Sequence, residues 1–275
     1  MTTVVITGGA SGLGLAMAVR WAKTGATLCL VDRSDANKAD ALKTVEAAGG
    51  KAHFFQCDVT SNEQVAQLKH YTDENLPPVD VLINSAGVPT AGTFSEESLT
   101  AWQWVLDINL LGTVRVTKAY ADDFRQRQQG HIVNVASQAG LTSMPLMGSY
   151  NASKAAVIAL SETLRLELAP FNVGVSVLCP AFVSTNLHTS LHEEQKAMQD
   201  VVTKLVQTGN VSAQQVAEDA FLAVQRNQFL IVTHKEGRTA LRLKRWLPWL
   251  YFRIMAKRTE GFTRKGYSYD RQPKH

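Results

Sequence analysis

Short apolar runs alternate along this chain with stretches in which apolar positions recur every three or four residues. The runs Thr3–Thr7, Thr27–Asp32, His53–Cys57, Val79–Ile83, His131–Val135, Val173–Leu178 and Phe229–Val232 predict strands. The periodic stretches predict helices over Leu13–Thr24, Lys38–Ala48, Asn62–Thr72, Leu99–Gln128, Ser149–Ala169 and Ala213–Arg226. Most of the strands are apolar without alternation, as strands covered on both faces are. Strand and helix in turn predict an α/β fold: a doubly wound parallel sheet of about seven strands, the Rossmann arrangement, in a single domain over 1–233. Two stretches break the rhythm. Residues 184–211 are helical in pattern and predict a lid over the substrate, and 234–275 form a C-terminal extension without strand pattern, in which Pro248 interrupts a helix.

Composition changes this picture little. Apolar residues make up 45% of the 275 and charged residues 19%, within the range of ordinary globular proteins. Charge placement says more. The net charge is +4, yet 235–265 holds ten basic and two acidic residues, a local +8, so the remainder carries about −4. The start of the chain shows no basic, apolar and cleavage-site succession of a signal peptide, and no apolar stretch approaches 18 residues. Cys29, Cys57 and Cys179 are odd in number and set in apolar runs, which predicts buried thiols in a reducing, cytoplasmic setting. No zinc-ligand spacing occurs. His188 and His192 with Glu193 lack a third placed ligand and read as a solvated lid helix, so no metal is expected.

The first chemistry-bearing motif is Thr7-Gly8-Gly9-Ala10-Ser11-Gly12-Leu13-Gly14, between the first strand and the first helix. Glycines allow a tight turn and close approach of backbone to a pyrophosphate, and the helix start offers unpaired N–H groups. Asp32 ends the second strand. A carboxylate there accepts hydrogen bonds from ribose hydroxyls and repels a 2′-phosphate, which favours NAD; Arg33 beside it keeps NADP open. Asp58 follows the third strand and Asn84-Ser85-Ala86-Gly87 the fourth, where ligands of such sheets lie.

Ser137 follows the fifth strand. Tyr150 comes thirteen residues later and Lys154 four after that, on one helical face. With the glycine loop, Asp58, Asn84-Ser85-Ala86-Gly87, Asn109 and Pro180, these residues resemble the short-chain dehydrogenase/reductase family in its compact form, from Thr3 to about Val232. The resemblance implies hydride transfer between a nicotinamide and a secondary alcohol or ketone. It implies Tyr150 as acid/base, Lys154 near the nicotinamide ribose, Ser137 on the substrate oxygen, and Asn109 anchoring a water that relays protons to Lys154. A phenol ordinarily titrates near pH 10, and the Lys154 ammonium and a nicotinamide cation are expected to lower that value. The expected cofactor set is Gly8, Ala10, Ser11, Gly12, Leu13, Gly14, Asp32, Arg33, Asp58, Val59, Asn84, Ala86, Gly87, Tyr150, Lys154, Pro180, Ala181, Val183 and Thr185. The last two are assigned by resemblance to the carboxamide end. Ala181 departs from the family's Pro-Gly and is strained if that position needs a positive φ.

Met144, Phe182 and Leu187, with Ser137 and Tyr150, are the expected substrate contacts. Leu146 and Leu191 are further candidates for an apolar pocket that suits a lipophilic substrate. The extension contains Trp246-Leu247-Pro248-Trp249-Leu250-Tyr251-Phe252 among arginines. It admits peripheral membrane contact through 239–258, a subunit contact, or a flap over the pocket. No nucleic-acid module is present. By resemblance the chain forms homodimers or homotetramers through the helices at 99–128 and 149–169. Two other functions stay open: a catalytically silent NAD(H) sensor, and a lyase or epimerase using the same Tyr and Lys.

Overall fold

A computed structural model describes residues 2–181, 183 and 211–269. Seven parallel strands form one sheet: β1 Thr3–Thr7, β2 Thr27–Asp32, β3 Lys51–Gln56, β4 Val81–Asn84, β5 Gly130–Val135, β6 Val173–Leu178 and β7 Leu230–Ile231, in the order β3-β2-β1-β4-β5-β6-β7. The chain runs outward from β1 in one direction to β3, then returns to lay β4 on the other side of β1. That reversal opens a crevice at the carboxyl ends of β1 and β4.

The helices are α1 Gly12–Ala22, α2 Lys38–Ala47, α3 Asn62–Asn75, α4 Leu99–Leu106, α5 Thr113–Arg127, α6 Gln138–Leu141, α7 Gly148–Leu168, α8 Ala213–Gln225, α9 Lys235–Trp246 and α10 Pro248–Tyr269. Side chains along a strand alternate between its faces, so β1 feeds two cores. Val4 and Ile6 pack with Leu28, Leu30, Trp21 of α1 and Val216 of α8. Val5 packs with Cys29, Val31, Leu68 of α3 and Phe124 of α5. Both faces are buried, which is why the strands read as unbroken apolar runs. Serine hydroxyls cap several helix starts: Ser61 accepts from the Gln64 N–H, Ser98 from Ala101 and Ser212 from Gln215.

Two features depart from the sequence pattern. The long helix expected over 99–128 is broken by a π-helical turn at Asp107–Gly112. The extension folds back as α9 and α10 onto the catalytic body. Lys244 Nζ donates to the Leu141 carbonyl at 2.6 Å. Gly237 lies against Gln138, and a Cβ at Gly266 would stand 2.4 Å from Leu146 Cδ1. Among the described residues no helix is long and apolar enough to cross a membrane.

Candidate active site

The crevice is a cleft of about 450 Å³ over the carboxyl edge of the sheet. Its floor is the glycine loop. Gly8 has φ +65°, and a Cβ there would sit 3.1 Å from Ala86 and Ser85 backbone. At Gly14 the same atom would fall 2.0 Å from the Gly8 carbonyl oxygen, so the first turn of α1 closes onto the loop only with glycine. Ser11 stands at the N-cap without using its side chain as a cap, leaving the helix start open to the cleft. Such a cradle, positive at a helix start and lined by backbone, fits an extended pyrophosphate.

Asp32 lies at one end of the cleft. Its Oδ2 accepts from the Ala10 N–H at 3.4 Å and its Oδ1 from Ser34 at 3.3 Å. Arg33, Asp58, Val59, Ala86, Gly87, Pro180, Ala181 and Val183 line the same cleft. One Asp58 oxygen is held by the Thr60 N–H and hydroxyl at 2.9 and 2.8 Å. Two expected contacts are placed otherwise. Ala10 reaches the site through its N–H to Asp32. The Asn84 side chain turns into the interior, donating to Thr117 and Asn134, each at 2.9 Å, so it ties β4 to β5 and α5 and does not line the cleft. Ala181 is not among the positive-φ residues, and alanine is unstrained there. Phe182, Thr185, Leu187, Leu191, His188 and His192 lie outside the described residues.

At the other end stand Tyr150 and Lys154, with Ser137 beside Tyr150 but lining neither this cleft nor the cavity next to it; all three are buried. Ser137 caps α6 by accepting from the Ala139 N–H at 3.1 Å, and the Tyr150 phenol hydrogen-bonds its hydroxyl. Lys154 Nζ lies 5.8 Å from the centre of the Tyr150 ring and donates to the Val135 carbonyl at 2.9 Å. A Cβ at Gly87 would be 3.3 Å from that Nζ, so glycine keeps the approach to Lys154 clear. Burial pulls Lys154 down to about 8. Burial raises the Tyr150 pKa, opposed by the Ser137 hydrogen bond. In the protein alone, burial sets the direction of the shift, opposite to the lowering expected from the sequence.

The start of α7, which carries Tyr150, is fixed by contacts absent from any short motif. The Tyr150 N–H donates to Thr90 Oγ1 at 3.3 Å, Thr90 pairs with Ser149 at 2.9 Å, and Glu97 accepts from the Ser149 N–H and hydroxyl. A carboxylate is favoured at a helix N-terminus. Asn109 sits in the π-helical turn. Its amide accepts from the Val88 N–H at 2.8 Å and donates to the Val88 carbonyl at 3.0 Å and to Ser153 at 3.1 Å; Ser153 in turn donates to the Tyr150 carbonyl. Asn109 thus joins the loop after β4 to the Tyr150 helix.

A second cavity of about 140 Å³ adjoins the first, and Met147, Tyr150 and Ala181 line both. Met144 lines it as expected, while Leu146, at φ +63°, instead packs beneath Gly266. The far wall comes from the extension: Ala240 of α9, Tyr251 and Met255 of α10. Among the described residues, none of the lining side chains is charged.

The family model described as short chain dehydrogenase matches residues 2–196. A ketoacyl reductase from Nostoc is 38% identical over 66% of this chain and 63% of its own length, under two thirds of that relative. Dehydrogenase/reductase SDR family member 7B of Mus musculus is 34% identical over 93% of this chain and 80% of its own, so that likeness runs through the extension. Among solved structures, a short chain dehydrogenase/reductase from Burkholderia phymatum, in complex with NAD, superposes with TM-score 0.84 at 35% identity, covering 89% of this chain and 92% of that one. Fold, site order and these likenesses agree: the chain belongs to the short-chain dehydrogenase/reductase family of oxidoreductases.

Proposed function

We propose that the protein moves a hydride between NAD and a secondary alcohol or ketone of lipophilic character, with Tyr150 as acid/base. The carrying observation is the position of Tyr150, buried where the cleft and the uncharged cavity meet, between Ser137 and Lys154. The glycine cradle supports a dinucleotide there. Asp32 at the ribose end favours NAD, because a 2′-phosphate would meet a carboxylate. When bound, the nicotinamide supplies or accepts the hydride.

The chain's own residues handle the proton and the orientation. The Ser137 hydroxyl holds the substrate oxygen, on which charge develops, and the Tyr150 phenol exchanges a proton with it. Lys154, one donor given to Val135, keeps its charge beside Tyr150 and directs its remaining N–H groups toward the cleft. Asn109 positions this pair by fixing α7, and its place in the π-helical turn is where a water relay to Lys154 would be anchored. The apolar wall of Met144, Met147, Ala240 and Met255 excludes water and selects an uncharged body.

The test is a panel of secondary alcohols and ketones with NAD and NADP, followed at 340 nm. A net absorbance change with NAD is expected; product without net change would signal isomerase or lyase chemistry instead. Tyr150→Phe should lose about a thousandfold in turnover and keep NADH affinity. Near-native turnover of that variant would overturn the assignment.

A further inference from the structure

We propose that the corner between α9 and α10 docks the protein on an anionic membrane surface. Four large apolar side chains project there: Trp246 is 74% exposed, Trp249 65%, Phe252 61% and Leu247 44%. They fall within seven residues, whereas exposed apolar residues on a soluble surface are ordinarily scattered. Tyr251, between two of them, is only 3% exposed and walls the small cavity. The exposure therefore belongs to the outer side of α10 and not to a loosely packed helix.

Basic side chains surround this corner. Arg242, Arg245, Arg253 and Lys257 are exposed, and the Arg245 guanidinium lies 5.6 Å over the Trp246 ring. Spacing on α10 sets Trp249, Phe252, Arg253 and Lys257 on one side. Indole and phenyl rings at the headgroup boundary, with guanidinium and ammonium groups against anionic lipid, are what such a surface binds. A second copy fits poorly. An interface with twofold symmetry sets a patch against itself, here the +8 of 235–265 against another +8. Nucleic acid would engage the basic groups and leave the four apolar side chains in water.

One consequence rests on the proposed function. Phe252, on the lipid side, adjoins Tyr251, on the cavity side, and α10 would separate bilayer from substrate pocket by the width of one helix. A substrate dissolved in lipid would then meet the enzyme at its apolar end.

The experiment is cosedimentation of the full chain with vesicles of phosphatidylcholine alone and with about 30% phosphatidylserine, chosen as a strongly anionic composition. Pelleting with the anionic vesicles, lost at high salt, is expected. The double variant Trp246→Ser/Trp249→Ser should partition at least about tenfold less and bind NADH as before. Arg253→Glu/Lys257→Glu should lose at least about twenty-five-fold, since each basic group near such a surface is worth about fivefold. Pelleting that ignores phosphatidylserine, or a tryptophan variant that pellets like the parent, overturns the proposal. So does a dimer that the tryptophan variant dissolves while the parent ignores vesicles. No turnover is read, so failure of the proposed reaction and failure of docking are seen separately.

Discussion

The two ends of the catalytic cleft are built by different means. The dinucleotide end is made of backbone: a glycine loop, a helix start and the ends of adjacent strands. Its dimensions follow from the sheet, and a single added carbon at Gly14 would strike the Gly8 carbonyl. The proposed substrate end is made of side chains from elements far apart in sequence: α6, the start of α7 and the helices of the extension. It is small, uncharged among the described residues and walled by segments that the sheet does not constrain. A site of this kind holds its cofactor in a fixed frame and leaves its substrate preference to replaceable parts.

The sharpest way to break the comparison is to damage the frame alone. Gly14→Ala forces the loop and α1 apart, because neither the Gly8 carbonyl nor the helix backbone can yield cheaply. NADH affinity should fall by more than about a hundredfold, measured by nucleotide fluorescence. The small cavity, which shares no residue with the loop, should keep its shape; an apolar ligand that still binds the variant would confirm that the ends are separable.

Much of the frame was legible because its constraints are local. Glycines, a strand and a helix start fall within one βα unit, and Tyr150 and Lys154 share one helical face. The proposed substrate end was legible only in part, with Met144, Tyr150 and a flap from the extension among the expectations, for the opposite reason. Tyr251 and Met255 lie about a hundred residues from Tyr150, and no periodicity places them against Ala139 and Met144. The Glu97–Ser149–Thr90 cluster spans gaps of 52 and 59 residues, through residues that read individually as loop polar groups. The π-helical turn leaves no apolar signature, since one extra residue per turn scarcely alters the pattern. The expected lowering of the Tyr150 pKa counted neighbours, but burial, which a sequence does not display, decides its direction.

Lys154 lines the cleft beside Tyr150, where the two ends meet, and its cost can be measured. Burial depresses its pKa from the ordinary 10.5 to about 8. Between those values the unfolded chain holds a proton that the folded chain does not, so stability rises with pH across the window. Below about pH 8 the folded protein carries a penalty of about 3 kcal/mol for this one side chain. Lys154→Met should therefore unfold at higher urea than the parent at pH 7, the advantage shrinking toward pH 10, while turnover is lost. An advantage unchanged with pH would mean that the charge is solvated in the folded protein.

Asp32 tests the frame at its polar rim. Its carboxylate is expected to take the ribose hydroxyls, and a hydrogen bond to a charged acceptor is worth about 2 kcal/mol. Asp32→Ala should raise the KM for NAD by about thirtyfold, with kcat little changed, and should narrow the preference for NAD over NADP through the neighbouring Arg33. A variant indifferent at both cofactors would remove the carboxylate from recognition.

The smallest effect is expected at the replaceable end, and it discriminates best. Ala240 projects from α9 into a cavity of about 140 Å³. Ala240→Leu adds three carbons to its wall, and volume rather than charge should decide what still fits, because the described lining carries no charged group. Displacing a single methylene of the substrate from such a pocket costs about tenfold at the low end. Larger ketones should show a KM raised by about that factor while the smallest are unaffected, and NADH affinity should not move. If NADH affinity fell as well, the extension would be bracing the cofactor frame, and the two ends would be a single mechanical unit. If no substrate responded, the extension would wall a space that the substrate does not enter, and selection would belong to the stretch between Val183 and Val211.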